Sequence, residues 1–309
     1  MDHVPVLLNE ALGYLAIRPD GKYVDCTAGM AGHTRAIAER LDRGGCVLAL
    51  DRDAESLERA RENTGGLHDR IRFRHAAFSK LAESVLWAGW ERVDGILADL
   101  GVSRLQLTSA ERGFSLMNAG PLDMRMDRNQ ERTAADIVNQ ASERELARLF
   151  TEYGEERGKL AEKIARALVR ARPIRDTRQL ADVVASAVPR TGKLHPATRV
   201  FQALRMVVND EPGELDALLR QAPQYLLPGG RWVMISFQSL DDRKVKNSFR
   251  ELGRAGKAKV LTKHVVRPDA AEVRRNPAAR SAVLRALEMS WGETDNEGMH
   301  SEREKDEAP

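Results

Sequence analysis

Between residues 22 and 100 short apolar runs recur, three of them closing on an aspartate, with helical stretches between them. Few folds accept that alternation. The runs are Lys22–Asp25, Cys46–Asp51, 71–74 and 95–99. Residues 34–41 read as one intervening helix. A second runs to about Asn63, with Asp53 as its N-cap. This is the grammar of a parallel sheet covered on both faces. It lapses from about 131 to 208, where only helical signals occur. Leu160, Ile164 and Leu168 repeat every fourth residue there, and Lys159, Lys163, Arg166 and Arg170 repeat on another face. Sheet grammar then returns: a helix over 212–226, a turn at Pro228-Gly229-Gly230, a strand over 231–237, a helix from about Asp241, and strands over 258–266 and 281–289. The expected organisation is one α/β domain (1–106 and 209–292) interrupted by a helical insertion (107–208), with a disordered acidic tail (293–309).

Charge separates these regions. The chain carries +3 overall, but the tail has seven acids against two bases, so the remainder is +8. Between residues 155 and 205 twelve Lys/Arg face five Asp/Glu, a surplus of +7. A basic insertion suits a polyanionic partner, while a solvated helical face is the other reading. No apolar run approaches membrane-spanning length, and the N-terminus lacks the pattern of a secretion signal. Cys26 and Cys46 sit in apolar runs, read as buried thiols of a reducing cytoplasm. Neither has a Cys or His at metal-ligand spacing, so no metal is expected.

Asp25-Cys26-Thr27-Ala28-Gly29-Met30-Ala31-Gly32-His33 links the first strand to a helix. Its glycines admit close backbone approach to a ligand, but it is neither the dinucleotide fingerprint nor a phosphate loop. Asp51 ends the second strand, where a carboxylate can take both hydroxyls of a ribose. Asp25 is expected to face the positive end of an amino-acid moiety. S-adenosylmethionine meets both demands; NAD meets only the first. Asp51 as a plain helix-capping acid is the competing reading. Phe78 follows the third strand, where adenine commonly lies, or belongs to the core. Asp99, ending the fourth strand, falls where such sheets face the transferred group. The loop with Asp123 and Arg125 reads as a substrate-facing lid or as a hinge held by internal Asp–Arg pairs.

Ordered over nearly the whole chain, these segments resemble the ribosomal small-subunit methyltransferase H family, also called MraW. The resemblance rests on His3-Val4-Pro5-Val6-Leu7, Asp25-Cys26-Thr27-Ala28-Gly29, Asp99-Leu100-Gly101-Val102-Ser103, Glu111-Arg112-Gly113-Phe114-Ser115 and Gly120-Pro121-Leu122-Asp123-Met124-Arg125-Met126. It continues through Tyr153-Gly154-Glu155-Glu156-Arg157, His195-Pro196-Ala197-Thr198-Arg199, Ile235-Ser236-Phe237-Gln238-Ser239-Leu240 and Asn276-Pro277-Ala278-Ala279-Arg280-Ser281. It implies a Rossmann-like class I methyltransferase domain with a helical substrate domain inserted after the fourth strand. The implied activity is transfer of methyl from S-adenosylmethionine to the exocyclic N4 of cytosine 1402 of 16S rRNA, in the decoding centre. It also implies a cytoplasmic enzyme whose partner is the small ribosomal subunit.

By the same resemblance, Ala31, Gly32, His33, Asp51, Phe78, Asp99 and Gln106 contact the cofactor. Asp99 is the expected catalytic acceptor, and Asp123, Arg125, His195, Arg199, Ser236 and Gln238 are substrate-side candidates. Two departures stand out. Relatives usually carry Gly at the position of Ala31, and His at the position of Gln238, which can hydrogen-bond but not accept a proton at neutral pH. Dimerisation is left open. A non-catalytic RNA-binding assembly factor on the same fold, and a nicotinamide-dependent oxidoreductase, are the alternatives.

Overall fold

A computed structural model describes residues 5–190 and 195–290. The expected acidic tail and His3-Val4 lie outside the described residues. The chain divides into two compact units, one formed by Met1–Gly101 with Glu214–Pro309, the other by Val102–Gly213.

In the first unit, α1 (Leu8–Leu15) precedes β1 (Lys22–Asp25), α2 (Gly32–Ala38), β2 (Cys46–Asp51), α3 (Ala54–Asn63), β3 (Ile71–His75), α4 (Leu81–Trp87) and β4 (Val93–Asp99). The second unit contains α5 (Arg104–Thr108), α6 (Ala134–Gln140), α7 (Glu143–Glu152), α8 (Gly158–Arg170), α9 (Thr177–Ala187) and α10 (Thr198–Val208). Helix α11 (Glu211–Tyr225) crosses the second boundary. The first unit then completes with β5 (Leu226–Ser236), α12 (Ser239–Arg254), β6 (Ala258–Val260), α13 (Ala270–Arg275) and β7 (Val283–Met289).

The seven strands form one sheet in the order β3-β2-β1-β4-β5-β7-β6. Strands β1 to β5 are parallel; β7 runs antiparallel to both β5 and β6. Alternation along each central strand explains why the sheet is buried on both faces. Tyr23, Val47, Ala49, Leu97, Val233 and Ile235 join a core with Leu12, Ile37 and Leu57 of α1, α2 and α3. Their neighbours Val24, Leu48, Leu50, Ile96, Trp232 and Met234 join the opposite core with Val85, Leu218 and Phe249 of α4, α11 and α12. Trp232, fully buried, lies 5.0 Å from the Phe249 ring in a tilted pair.

Local details depart from the sequence reading in a few places. Pro228-Gly229-Gly230 does not end a strand; it is taken into β5, where the pairing with β4 shifts register between Val93 and Gly95. The strand expected over 258–266 shortens to β6, and Val266 keeps only an isolated bridge to Leu284. Cys26 is buried as expected, but Cys46, at the start of β2, is half-buried. Asp53 caps α3, accepting from the Glu55 and Ser56 N–H groups.

The second unit has its own core, in which Ile137, Phe150, Ile164, Leu168, Leu180 and Leu204 are fully buried. Leu160, read as part of the apolar stripe, is only half-buried, while Lys159, Lys163, Arg166 and Arg170 of α8 are exposed. Capping boxes at Thr133/Asp136 and Ser142/Glu145 start α6 and α7. Among the described residues, no helix is long and apolar enough to cross a membrane.

Candidate functional site

In an open α/β sheet, ligands bind beyond the carboxyl ends of the strands where the strand order reverses. Here the reversal lies between β1 and β4, so Asp25 and Asp99 flank it, with Asp51 one strand away.

Asp25 proves to organise this edge. Its carboxylate is wholly buried. Oδ1 accepts the Thr27 N–H at 3.0 Å and the Thr27 hydroxyl at 3.4 Å; Oδ2 accepts the Thr34 hydroxyl at 2.6 Å. The expectation that Asp25 faces a ligand's positive group is therefore corrected, because no surface of its carboxylate is left to reach one. The Thr27 hydroxyl also accepts the Asp99 backbone N–H at 2.7 Å, tying the end of β1 to the end of β4. Sequence reasoning missed Thr27 and Thr34, whose roles depend on contacts made by the folded chain.

Asp51 has a different setting. It is half-buried, with Oδ2 accepting the Gly29 N–H at 2.7 Å and Oδ1 the Asp53 N–H at 2.9 Å. An ionised carboxylate offers about four lone-pair sites, so capacity remains for two hydroxyls. Burial pushes its pKa up to about 6, against the lowering effect of the Asp53 and Gly29 N–H groups. Gly29 holds a left-handed φ of 52°, which favours glycine at the point where the backbone turns its N–H onto Asp51.

Asp99 is the exposed counterpart of Asp25. Its side chain is 23% accessible, and Oδ1 has no hydrogen-bond partner among the described residues. Oδ2 lies 3.9 Å from His33 Nδ1. Burial, reinforced by the neighbouring Asp25 charge, raises the Asp99 pKa to about 8. Ala31, Gly32 and His33 form the entry to α2. Ala31 is the N-cap with a left-handed φ of 67°, and its methyl is buried. At Gly32, a Cβ would lie 2.3 Å from Pro5 Cγ, so the N-terminal segment packs onto the helix start only because no side chain intervenes.

Phe78 is half-buried, packing against the core beside α4. Ser236 is buried at the end of β5, and Gln238 is the half-buried N-cap residue of α12. The remaining candidates belong to the second unit. Gln106 is buried, its Oε1 accepting the Ser103 N–H at 2.9 Å in a capping box that starts α5. Asp123 grips Arg125 with two hydrogen bonds, Nε to Oδ1 at 2.7 Å and Nη2 to Oδ2 at 3.0 Å. Arg125 Nη1 donates to the Arg128 and Gln130 carbonyls. Of the two readings of this loop, the internal Asp–Arg pair is the one present. His195 is exposed, and its Nδ1 accepts the Ala197 N–H at 3.2 Å, organising the turn into α10. Arg199 is exposed, 3.4 Å from Glu156.

S-adenosylmethionine fits the first-unit edge. Asp51 offers spare acceptor capacity to a ribose, Asp99 an unpartnered buried oxygen to a positive or N–H-bearing group, and the turn between Cys26 and Gly32 lacks the lysine of a phosphate cradle. Sheet order, the antiparallel β7 and the acids closing β1, β2 and β4 define a Rossmann-like, class I S-adenosylmethionine-dependent methyltransferase.

The family model for MraW methylases matches residues 1–290, and the chain belongs to that family. It is 58% identical over 287 residues to the ribosomal RNA small subunit methyltransferase H of Solibacter usitatus, covering 93% of this chain and 99% of that protein. To the protein of the same name from Acidobacterium capsulatum it is 48% identical over 295 residues, covering 93% and 98%. Among solved structures, an rRNA methylase from Streptococcus thermophilus aligns with a TM-score of 0.46 and 10% identity, over 94% of this chain and all of that one.

Proposed function

We propose that this chain transfers the methyl group of S-adenosylmethionine to the exocyclic N4 of a cytosine in 16S rRNA, acting on the small ribosomal subunit in the cytoplasm. The observation that carries the reading is the unpartnered Oδ1 of Asp99 at the end of β4, in a chain of the MraW family. When bound, the cofactor supplies an electrophilic methyl on a cationic sulfur. The cytosine amine is a poor nucleophile because its lone pair is delocalised into the ring. The protein must therefore fix its direction of approach and accept its N–H bonds as it attacks. Asp99 is the acceptor. Asp51 holds the ribose, and Thr27 keeps the two strand ends in register.

The helical unit is the RNA platform in this reading. Lys159, Lys163, Arg166 and Arg170 present positive charge along the exposed face of α8, and phosphate contacts there position RNA without reading its sequence. The deciding experiment offers labelled S-adenosylmethionine with 16S rRNA, free and in assembled small subunits. Label at cytosine N4 is expected. Absence of label in either substrate would favour a non-catalytic assembly factor. Neutralising the four α8 cations should lower the log–log salt slope of RNA binding by about 3; an unchanged slope removes α8 from the platform.

A further inference from the structure

His33 sits at the start of α2 with its ring 5% exposed. Its Nε2 lies 3.1 Å from the Val6 carbonyl oxygen. A carbonyl can only accept, so this contact places the proton on Nε2 and, in a neutral imidazole, leaves the lone pair on Nδ1. That nitrogen is the one 3.9 Å from Asp99 Oδ2. The carboxyl group of Asp99 therefore has one oxygen toward an imidazole lone pair and the other, Oδ1, without a partner among the described residues. The other charge acting on Asp99 is Asp25, whose own oxygens are taken by Thr27 and Thr34.

We propose that His33 is a positioning residue which works through Asp99: the two side chains form one proton-holding pair that receives the proton released when the amine is methylated. The proposal rests on the methyl-transfer reading above. In the step, the amine nitrogen attacks the methyl carbon. One N–C bond forms, the C–S bond breaks, and its electron pair stays on sulfur. The departing N–H proton goes to Asp99 Oδ1, while the proton shared between Oδ2 and His33 passes to Nδ1. His33 then carries the positive charge beside the Asp99 carboxylate until solvent takes the proton. The 3.9 Å separation must shorten by about 1 Å for this, an adjustment of the kind catalytic contacts undergo on forming the reactive complex. The raised Asp99 pKa agrees with a carboxyl that holds a proton near neutrality. The arrangement also supplies a proton acceptor in a chain with Gln238 where relatives carry histidine.

The test needs neither cofactor nor RNA. Long-range proton–nitrogen correlation spectra of ring-labelled histidine report the tautomer and titration of His33, assigned by its loss in His33→Gln or, if that variant does not fold, through its backbone amide. The expected result is an Nε2–H tautomer whose titration midpoint moves by about one pH unit or more on Asp99→Asn. An Nδ1–H tautomer, or a titration indifferent to Asp99→Asn, overturns the proposal. In the kinetic arm, His33→Gln keeps a donor for Val6 but cannot take a proton. Single-turnover methylation should fall about 10- to 100-fold and lose its acid-side pH dependence, with cofactor and RNA affinities unchanged. An unaltered rate and pH profile overturns it. Methylation by wild type with an uncoupled His33 sinks this proposal alone; no methylation with a coupled His33 sinks the functional reading and this role with it.

Discussion

Asp99 and Asp123 are the same residue type in two regions of one chain, and their surroundings push them in opposite directions. At the sheet edge, burial and the nearby Asp25 raise the Asp99 pKa to about 8, and one oxygen has no partner among the described residues. In the helical unit, burial also acts on Asp123, but Arg125 outweighs it and holds the carboxyl below its usual range. Arg125 is itself occupied by Asp123 and two carbonyls. A satisfied pair of this kind stabilises a loop and has little left to offer a ligand. An uncompensated acid costs stability and is retained where something else will use it.

The sharpest way to break the comparison is Asp99→Asn. Because the folded pKa lies above that of the unfolded chain, the protonated form favours the fold. Stability is full below about pH 4 and is lost as pH rises toward and through 8. The span from 3.8 to about 8 sets a ceiling of roughly 6 kcal/mol, and the partial exposure of the side chain lowers it to about 2–4 kcal/mol. Asp99→Asn should therefore unfold later in urea than wild type at pH 8.5 and show no such gain at pH 4. The same variant should slow single-turnover methylation about 100-fold or more at saturating cofactor. A variant that is less stable at pH 8.5, or near-normal in rate, would end the case for Asp99.

Asp123→Asn should do the reverse. It leaves the half-buried Arg125 without its carboxylate, at a loss of about 3 kcal/mol, read from the urea midpoint at pH 7. Since the folded pKa is depressed, the wild-type contribution is present above the unfolded value near 4 and disappears as pH falls through the folded one. Wild type and variant should thus converge in acid. A loss confined to RNA binding, with stability intact, would instead make Asp123 a substrate contact.

Asp51→Asn tests the middle of the range. Replacing the charged acceptor for a ribose hydroxyl pair should weaken S-adenosylmethionine binding by about 1.5–3 kcal/mol, roughly 10- to 150-fold, in calorimetry. Relief of the buried charge should meanwhile leave the fold no less stable at pH 8. Unchanged cofactor affinity would return Asp51 to the role of a loop-organising acid, since it already accepts from Gly29 and Asp53.

How much of this was legible beforehand follows from what each feature depends on. The central strands and the Asp53 cap were readable because alternation, apolar runs and cap chemistry are local. Helix α1 was not: it starts after Leu7 in a left-handed conformation, with no side-chain cap to announce it. The division of labour between Asp25 and Asp99 was hidden too. Both end strands on an acid, and only the hydroxyls of Thr27 and Thr34 decide which is sealed. The Asp–Arg pair in 123–125 was foreseeable as one of two readings because its partners are two residues apart; choosing between them required the geometry.

Ala31 carries the smallest expected effect, and its sign is set by three terms of similar size. A left-handed conformation costs a non-glycine residue about 1–2 kcal/mol, which glycine would relieve. Against that, the Ala31 methyl is buried in the α1–α2 core, worth about 0.8 kcal/mol. Glycine also enlarges the unfolded ensemble by about 0.4–1 kcal/mol. The terms nearly cancel, so Ala31→Gly should shift stability by less than about 1 kcal/mol in either direction. Cofactor affinity should change by less than about fivefold, because the Ala31 N–H already bonds the Ala28 carbonyl and the turn is set without glycine. A stabilisation above about 2 kcal/mol would show that the departure from the family residue is a strained compromise at the cofactor turn; a near-zero change means that packing of the methyl has absorbed the strain.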